Sequence, residues 1–106
     1  MKSPEFFIEK ANGLIKELNY YVKDGVEYDF DNIRLAYMKI KAMFGEFDNG
    51  KPFLEALTDI TDSSGLRFNA WNEGERLTLC VNVLLAFIDH VATYRTVDPT
   101  EVANPN

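Results

Sequence analysis

A chain of 106 residues with 46% hydrophobic and 13% aromatic side chains is sized for one domain. It holds enough apolar material for a packed core, which excludes global disorder. Its net charge of −6 denies it the counterion-release energy that drives nucleic-acid binding, so no direct contact with DNA or RNA is expected.

The acidity is uneven. Residues 1–25 balance at four basic and four acidic groups. Residues 26–50 carry three basic and five acidic groups, and residues 51–75 two and five. The middle of the chain is therefore the part that attracts a basic partner. The one cysteine, Cys80, cannot close an internal disulfide, so nothing demands an oxidising compartment. Glu5, Glu9 and Lys10 interrupt Phe6-Phe7-Ile8 and break any signal-peptide core, so a cytoplasmic location is expected.

The first helix is signalled by Ser3 as N-cap, Pro4 in the first turn and Glu5 after it. Phe7, Ala11, Leu14, Ile15, Leu18 and Val22 recur at helical spacing and predict its buried stripe. Asp24-Gly25 supplies a stop. Val26 to Phe30 reads as a connector, with a second helix from about Asp31. Ile33, Ala36, Tyr37, Ile40, Phe44 and Phe47 form its core stripe, and Asp48-Asn49-Gly50 ends it. Pro52 opens a third, shorter helix with Phe53, Leu57 and Ile60 inward. Asp62-Ser63-Ser64-Gly65 reads as a loop, and Leu66 to Trp71 as at most a helical turn. Asn72, with Glu75 three residues on, reads as a capping box for the last helix.

That last helix is apolar almost throughout Leu77–Ala92; Glu75, Thr78, Asn82, Asp89 and Thr93 fall on one narrow strip. The Leu77–Ala92 stretch is shorter than the ~20 residues that span a bilayer, so a helix surrounded by others is expected. The predicted fold is all-α: a single-domain bundle of about four main helices over residues 1–95 with a buried C-terminal helix, followed by a flexible tail over 96–106.

No catalytic constellation emerges. His90 and Cys80 point in different directions on one helix, and the serines lack a nucleophile-elbow setting. The Glu27/Asp29/Asp31 alternation fails as a calcium loop, because Asn32 stands at the glycine position and Met38 at position twelve. No metal and no cofactor are expected. Two features point instead to partner binding. Glu55, Asp59 and Asp62 share one face of the third helix, where like charges repel each other and the helix dipole. Leu35, Met38 and Ala42 make an apolar stripe opposite the core stripe of the second helix. The spacing serves equally for a sandwiched helix and for a binding face. Beside that stripe, Glu27, Tyr28, Asp29, Phe30 and Asp31 interleave aromatics with acids, and Tyr20 extends them from the first helix.

Ser3-Pro4-Glu5-Phe6-Phe7-Ile8-Glu9-Lys10-Ala11 and Arg76-Leu77-Thr78-Leu79 resemble stretches of small helical immunity proteins that protect bacteria from interbacterial toxins. The resemblance covers the first helix and the start of the last. It implies a cognate toxin as partner and transfers no individual binding residues. Phage-encoded inhibitors of bacterial defence share the size and acidity. The expectation is thus a non-enzymatic acidic inhibitor that binds a protein with a basic surface, with no membrane partner and with self-association left open. The alternatives are a structural or adaptor subunit and, behind it, a small carboxylate-dependent enzyme.

Overall fold

A computed structural model describes residues 2–21, 29–61 and 70–96 as four helices: α1 Pro4–Tyr21, α2 Phe30–Glu46, α3 Lys51–Thr61 and α4 Ala70–Thr96. Val22, the Asp24-Gly25 stop, Glu27, Tyr28, the loop from Asp62 and the tail beyond Thr96 lie outside the described residues.

Local signals start the helices. Ser3 Oγ accepts the Phe6 amide at 3.2 Å, satisfying one of the free N–H groups of the first turn. Asp29 does the same for α2. Its carboxylate accepts the Asn32 amide at 3.1 Å and the Asn32 side chain at 2.6 Å. Asp29 is therefore the N-cap, and Phe30 is already helical, one residue earlier than the periodicity placed the start. α2 ends at Glu46, and Phe47 is its C-cap, not a member of its stripe.

One local signal does not hold. Asn72 does not cap α4: the helix already runs from Ala70, and Glu75 is exposed. A cap motif is worth about 1 kcal/mol. Here Asn72 lies inside the helix, whose first turn carries the fully buried Glu73.

Neighbouring helices pair α1 with α2, α2 with α3, α3 with α4 and α4 with α1. The four form a ring that alternates in direction. Lys2 at the start of α1 meets Glu46 at the end of α2 at 3.5 Å, and Glu17 near the end of α1 meets Lys39 at 3.5 Å. Phe44 and Phe53 pack with tilted rings across the α2–α3 turn, centroids 5.8 Å apart. α2 and α4 face each other diagonally and touch through Tyr37–Glu73 and Phe44–Phe87. The bundle therefore has two unlike ends. One closes over aromatics: Phe7, Phe44, Phe47, Phe53, Phe87 and His90. The other holds the end of α1, the start of α2 and the polar beginning of α4.

The α2–α3 turn depends on Gly50. It donates to the Phe47 carbonyl at 2.9 Å and its own carbonyl accepts Leu54 at 2.9 Å. A Cβ at Gly50 would stand 2.1 Å from the Phe44 carbonyl oxygen, so no side chain fits.

α4 lends the core Leu77, Cys80, Leu84, Phe87 and Val91, but the other helices do not encircle it. Leu79 and Leu85 are exposed, as are Glu75, Thr78, Asn82, Ala86, Asp89 and Thr93. In a ring of four, each helix keeps an outer face. The narrow polar strip predicted from the sequence is only the middle of that face. By length and composition Glu73–Thr93 is apolar enough to cross a membrane, yet a third of it packs inside the bundle.

Candidate functional site

Burial separates the predicted site residues into three groups. Tyr20 is 63% exposed at the end of α1, ring edge against ring face with Tyr21. Asp29 and Asp31 are exposed at the start of α2, where Phe30 is half-buried. Asp29 and Tyr21 are close enough for the carboxylate to help raise the Tyr21 phenol pKa, behind partial burial and Glu17. The end of α1 and the start of α2 thus form one surface. Asp31 leans toward Arg34 at 3.9 Å, with its side chain 95% exposed, a contact worth little in water. Asp29 has a structural duty besides, as the cap of α2.

The second group lies on α3. Glu55 and Asp59 are both exposed on its outer side. Because α3 runs antiparallel to α2, Asp59 falls in the same half of the bundle as Asp29 and Asp31. Glu27, Tyr28 and Asp62 lie outside the described residues.

The third group is the α2 stripe. Leu35 is 52% and Met38 64% exposed, and Ala42 is exposed with them. α2 buries one face only, through Ile33, Ala36, Tyr37, Ile40, Met43 and Phe44. The stripe is a surface, which resolves the choice the sequence left open.

The sequence reading missed a buried polar cluster between α2 and α4. Glu73 is fully buried. The Tyr37 hydroxyl donates to its Oε2, and Arg76 Nη1 lies 3.5 Å from its Oε1. Cys80 sits one turn further along α4, also fully buried. Burial, with Glu73 adding, pushes its thiol up to about 12. Burial and the bond to Glu73 raise the Tyr37 phenol strongly as well. A thiol and a phenol so held stay neutral and un-nucleophilic at ordinary pH. The cluster's evident work is to lock α4 against α2. One signal was legible: Glu73, Arg76, Leu77 and Cys80 share one side of the helix at i, i+3, i+4, i+7 spacing, so two charges lie on an otherwise apolar face.

His90 lies between the rings of Phe47 and Phe53, at 6.0 and 5.4 Å, far along α4 from Cys80. Among the described residues no three His, Cys, Asp or Glu side chains converge as metal ligands. In comparisons with known proteins, no family model, no curated protein and no solved structure matches the chain.

Proposed function

We propose that the chain is a non-catalytic protein-binding module, an acidic inhibitor that works in the cytoplasm by covering a basic surface on its target. One observation carries this reading: Tyr20, Asp29 and Asp31 lie together at one end of the bundle, with Glu55 and Asp59 on the outside of the neighbouring α3. An exposed tyrosine contributes contact area at low entropic cost, and the acids raise the association rate with a basic partner. A toxin-neutralising role of the immunity-protein kind, or an anti-defence role, fits the same surface.

The test is affinity capture from the source cell, followed by titration of the captured partner. Tyr20→Ala and the triple variant Asp31→Asn, Glu55→Gln, Asp59→Asn are compared with the parent. Tyr20→Ala should speed dissociation. The triple variant should slow association and flatten its salt dependence. Unchanged kinetics for both would remove this end of the bundle from the interface. A second reading, a subunit of a larger assembly, is favoured by the exposed Leu35/Met38/Ala42 stripe.

A further inference from the structure

The chain holds two Asn–Gly pairs, Asn12-Gly13 and Asn49-Gly50, and the fold restrains them differently. A glycine after asparagine leaves the next backbone nitrogen open to the asparagine side chain, because no Cβ stands in the way. Asn12-Gly13 lies in the middle of α1, inside its ladder of backbone hydrogen bonds and between the buried Ala11 and Leu14. Rotating that peptide group breaks the helix at its centre. Asn49-Gly50 lies between α2 and α3. Asn49 is exposed, and the Gly50 N–H is held by one turn bond, to the Phe47 carbonyl at 2.9 Å. Rotating this peptide group leaves the ladders of both helices in place.

We propose that Asn49 is a site of spontaneous deamidation whose isoaspartyl product opens the α2–α3 turn. The Gly50 nitrogen gives up its proton and attacks Cγ of Asn49. The new N–Cγ bond forms as the Cγ–Nδ2 bond breaks, and Nδ2 leaves with a proton as ammonia. Water, the one co-reactant, then opens the five-membered imide, and no electrons are transferred. Opening at Cγ restores the chain with aspartate at 49. Opening at the backbone carbonyl leaves isoaspartate, whose main chain runs through Cβ and Cγ and is one atom longer. The turn receives the two products differently. Aspartate places a charge at an exposed position just before α3, where the helix dipole favours an anion. Isoaspartate has no room. Gly50 packs so closely on the Phe44 carbonyl that even a Cβ would collide with it, so the lengthened chain gives up the bond from Gly50 to Phe47. Phe44 and Phe47 on one side of the turn and Phe53 on the other meet Phe87 of α4, so the aromatic end of the bundle loosens. Tyr20, Asp29 and Asp31 lie at the other end, and the inference stands independently of the basic-partner reading.

The full chain is aged in native buffer and, in parallel, in guanidinium chloride, then digested with trypsin, which leaves Asn12 and Asn49 on separate peptides. Mass spectrometry reads the conversion of amide to acid. In denaturant both pairs should convert at similar rates, since each asparagine then has the same neighbour and no fold around it. In native buffer Asn49 should convert at least about tenfold faster than Asn12, the difference between opening a turn and opening the middle of a helix. Isoaspartyl methyltransferase should label the peptide that carries Asn49, and Asn49→Gln should abolish that label without changing the circular dichroism of fresh protein. The isoaspartyl form, separated chromatographically from aged protein, should melt below the fresh parent, while Asn49→Asp should melt with the parent or slightly above it. Equal native rates at the two pairs would overturn the proposal. So would an Asn49 that stays intact in native buffer while the denatured chain converts. An isoaspartyl form that melts with the parent, or an Asn49→Asp variant that melts as low as the isoaspartyl form, would overturn the opening of the turn.

Discussion

The Tyr37 hydroxyl of α2 donates a hydrogen bond to the fully buried Glu73 carboxylate of α4, and these two helices otherwise face each other only across the diagonal of the bundle. A buried carboxylate is tolerable when its oxygens are engaged, and Arg76, 4% exposed, lies on the other oxygen. Tyr37→Phe removes the donor and leaves the charge in place. The expected loss is about 1.5–3 kcal/mol in urea unfolding. A loss near zero would mean that water replaces the hydroxyl. Arg76→Met alone should cost more, about 3–5 kcal/mol, and adding Glu73→Leu to it should recover much of that loss, because the stranded charge goes with it.

The same cluster sets an alkaline limit on stability. Burial raises the Cys80 thiol from 9.0 to about 12, with Glu73 adding and Arg76 and Lys41 opposing. The native state therefore keeps a proton that the unfolded chain releases from about pH 9. The stabilisation is complete below that pH and is lost as pH rises toward 12. Tyr37, whose phenol is raised above 10.0 in the same direction, deepens the loss at still higher pH. Urea midpoints should be level through neutral pH and fall above about pH 9. Cys80→Ala should flatten the first part of that fall. A midpoint that Cys80→Ala leaves equally steep there would absolve the thiol.

Cys80 should also resist chemistry. It has no exposed surface and little thiolate at neutral pH. A thiol reagent should label the native protein far more slowly than the denatured chain, at a rate set by opening of the bundle. Equal rates would place Cys80 at the surface.

Gly50→Ala probes the α2–α3 turn. The added methyl meets the Phe44 carbonyl oxygen at 2.1 Å, and backbone cannot yield as a flexible side chain does. A destabilisation of about 1–3 kcal/mol is expected. Gly45→Ala, one turn away in open space, should instead be neutral or slightly stabilising in thermal melts. Equal effects of the two changes would contradict the turn geometry.

Leu84→Ala tests the buried face of α4. Leu84 is fully buried in the cluster with Leu14, Leu18 and Phe87, and truncation should cost about 2–5 kcal/mol. A cost near zero would detach α4 from the core.

Much of this architecture follows from the sequence alone, because it rests on local periodicity. Phe7, Ala11, Leu14 and Leu18 on α1, and Ile33, Ala36, Tyr37, Ile40 and Phe44 on α2, are buried as their spacing requires, and Ser3 caps α1. Tertiary structure decided the rest. Whether Leu35 and Met38 were core or surface depended on how many neighbours α2 has, and a ring of four leaves its outer face bare. Periodicity alone could not place Glu73 and Arg76, because a charge on an apolar face is acceptable only where a partner from another helix, here Tyr37, reaches it. The start of α4 was misjudged as well: the helix runs from Ala70, so Asn72 lies within it. Local spacing determines which residues turn inward together, and the assembled helices determine what each inward and outward face meets.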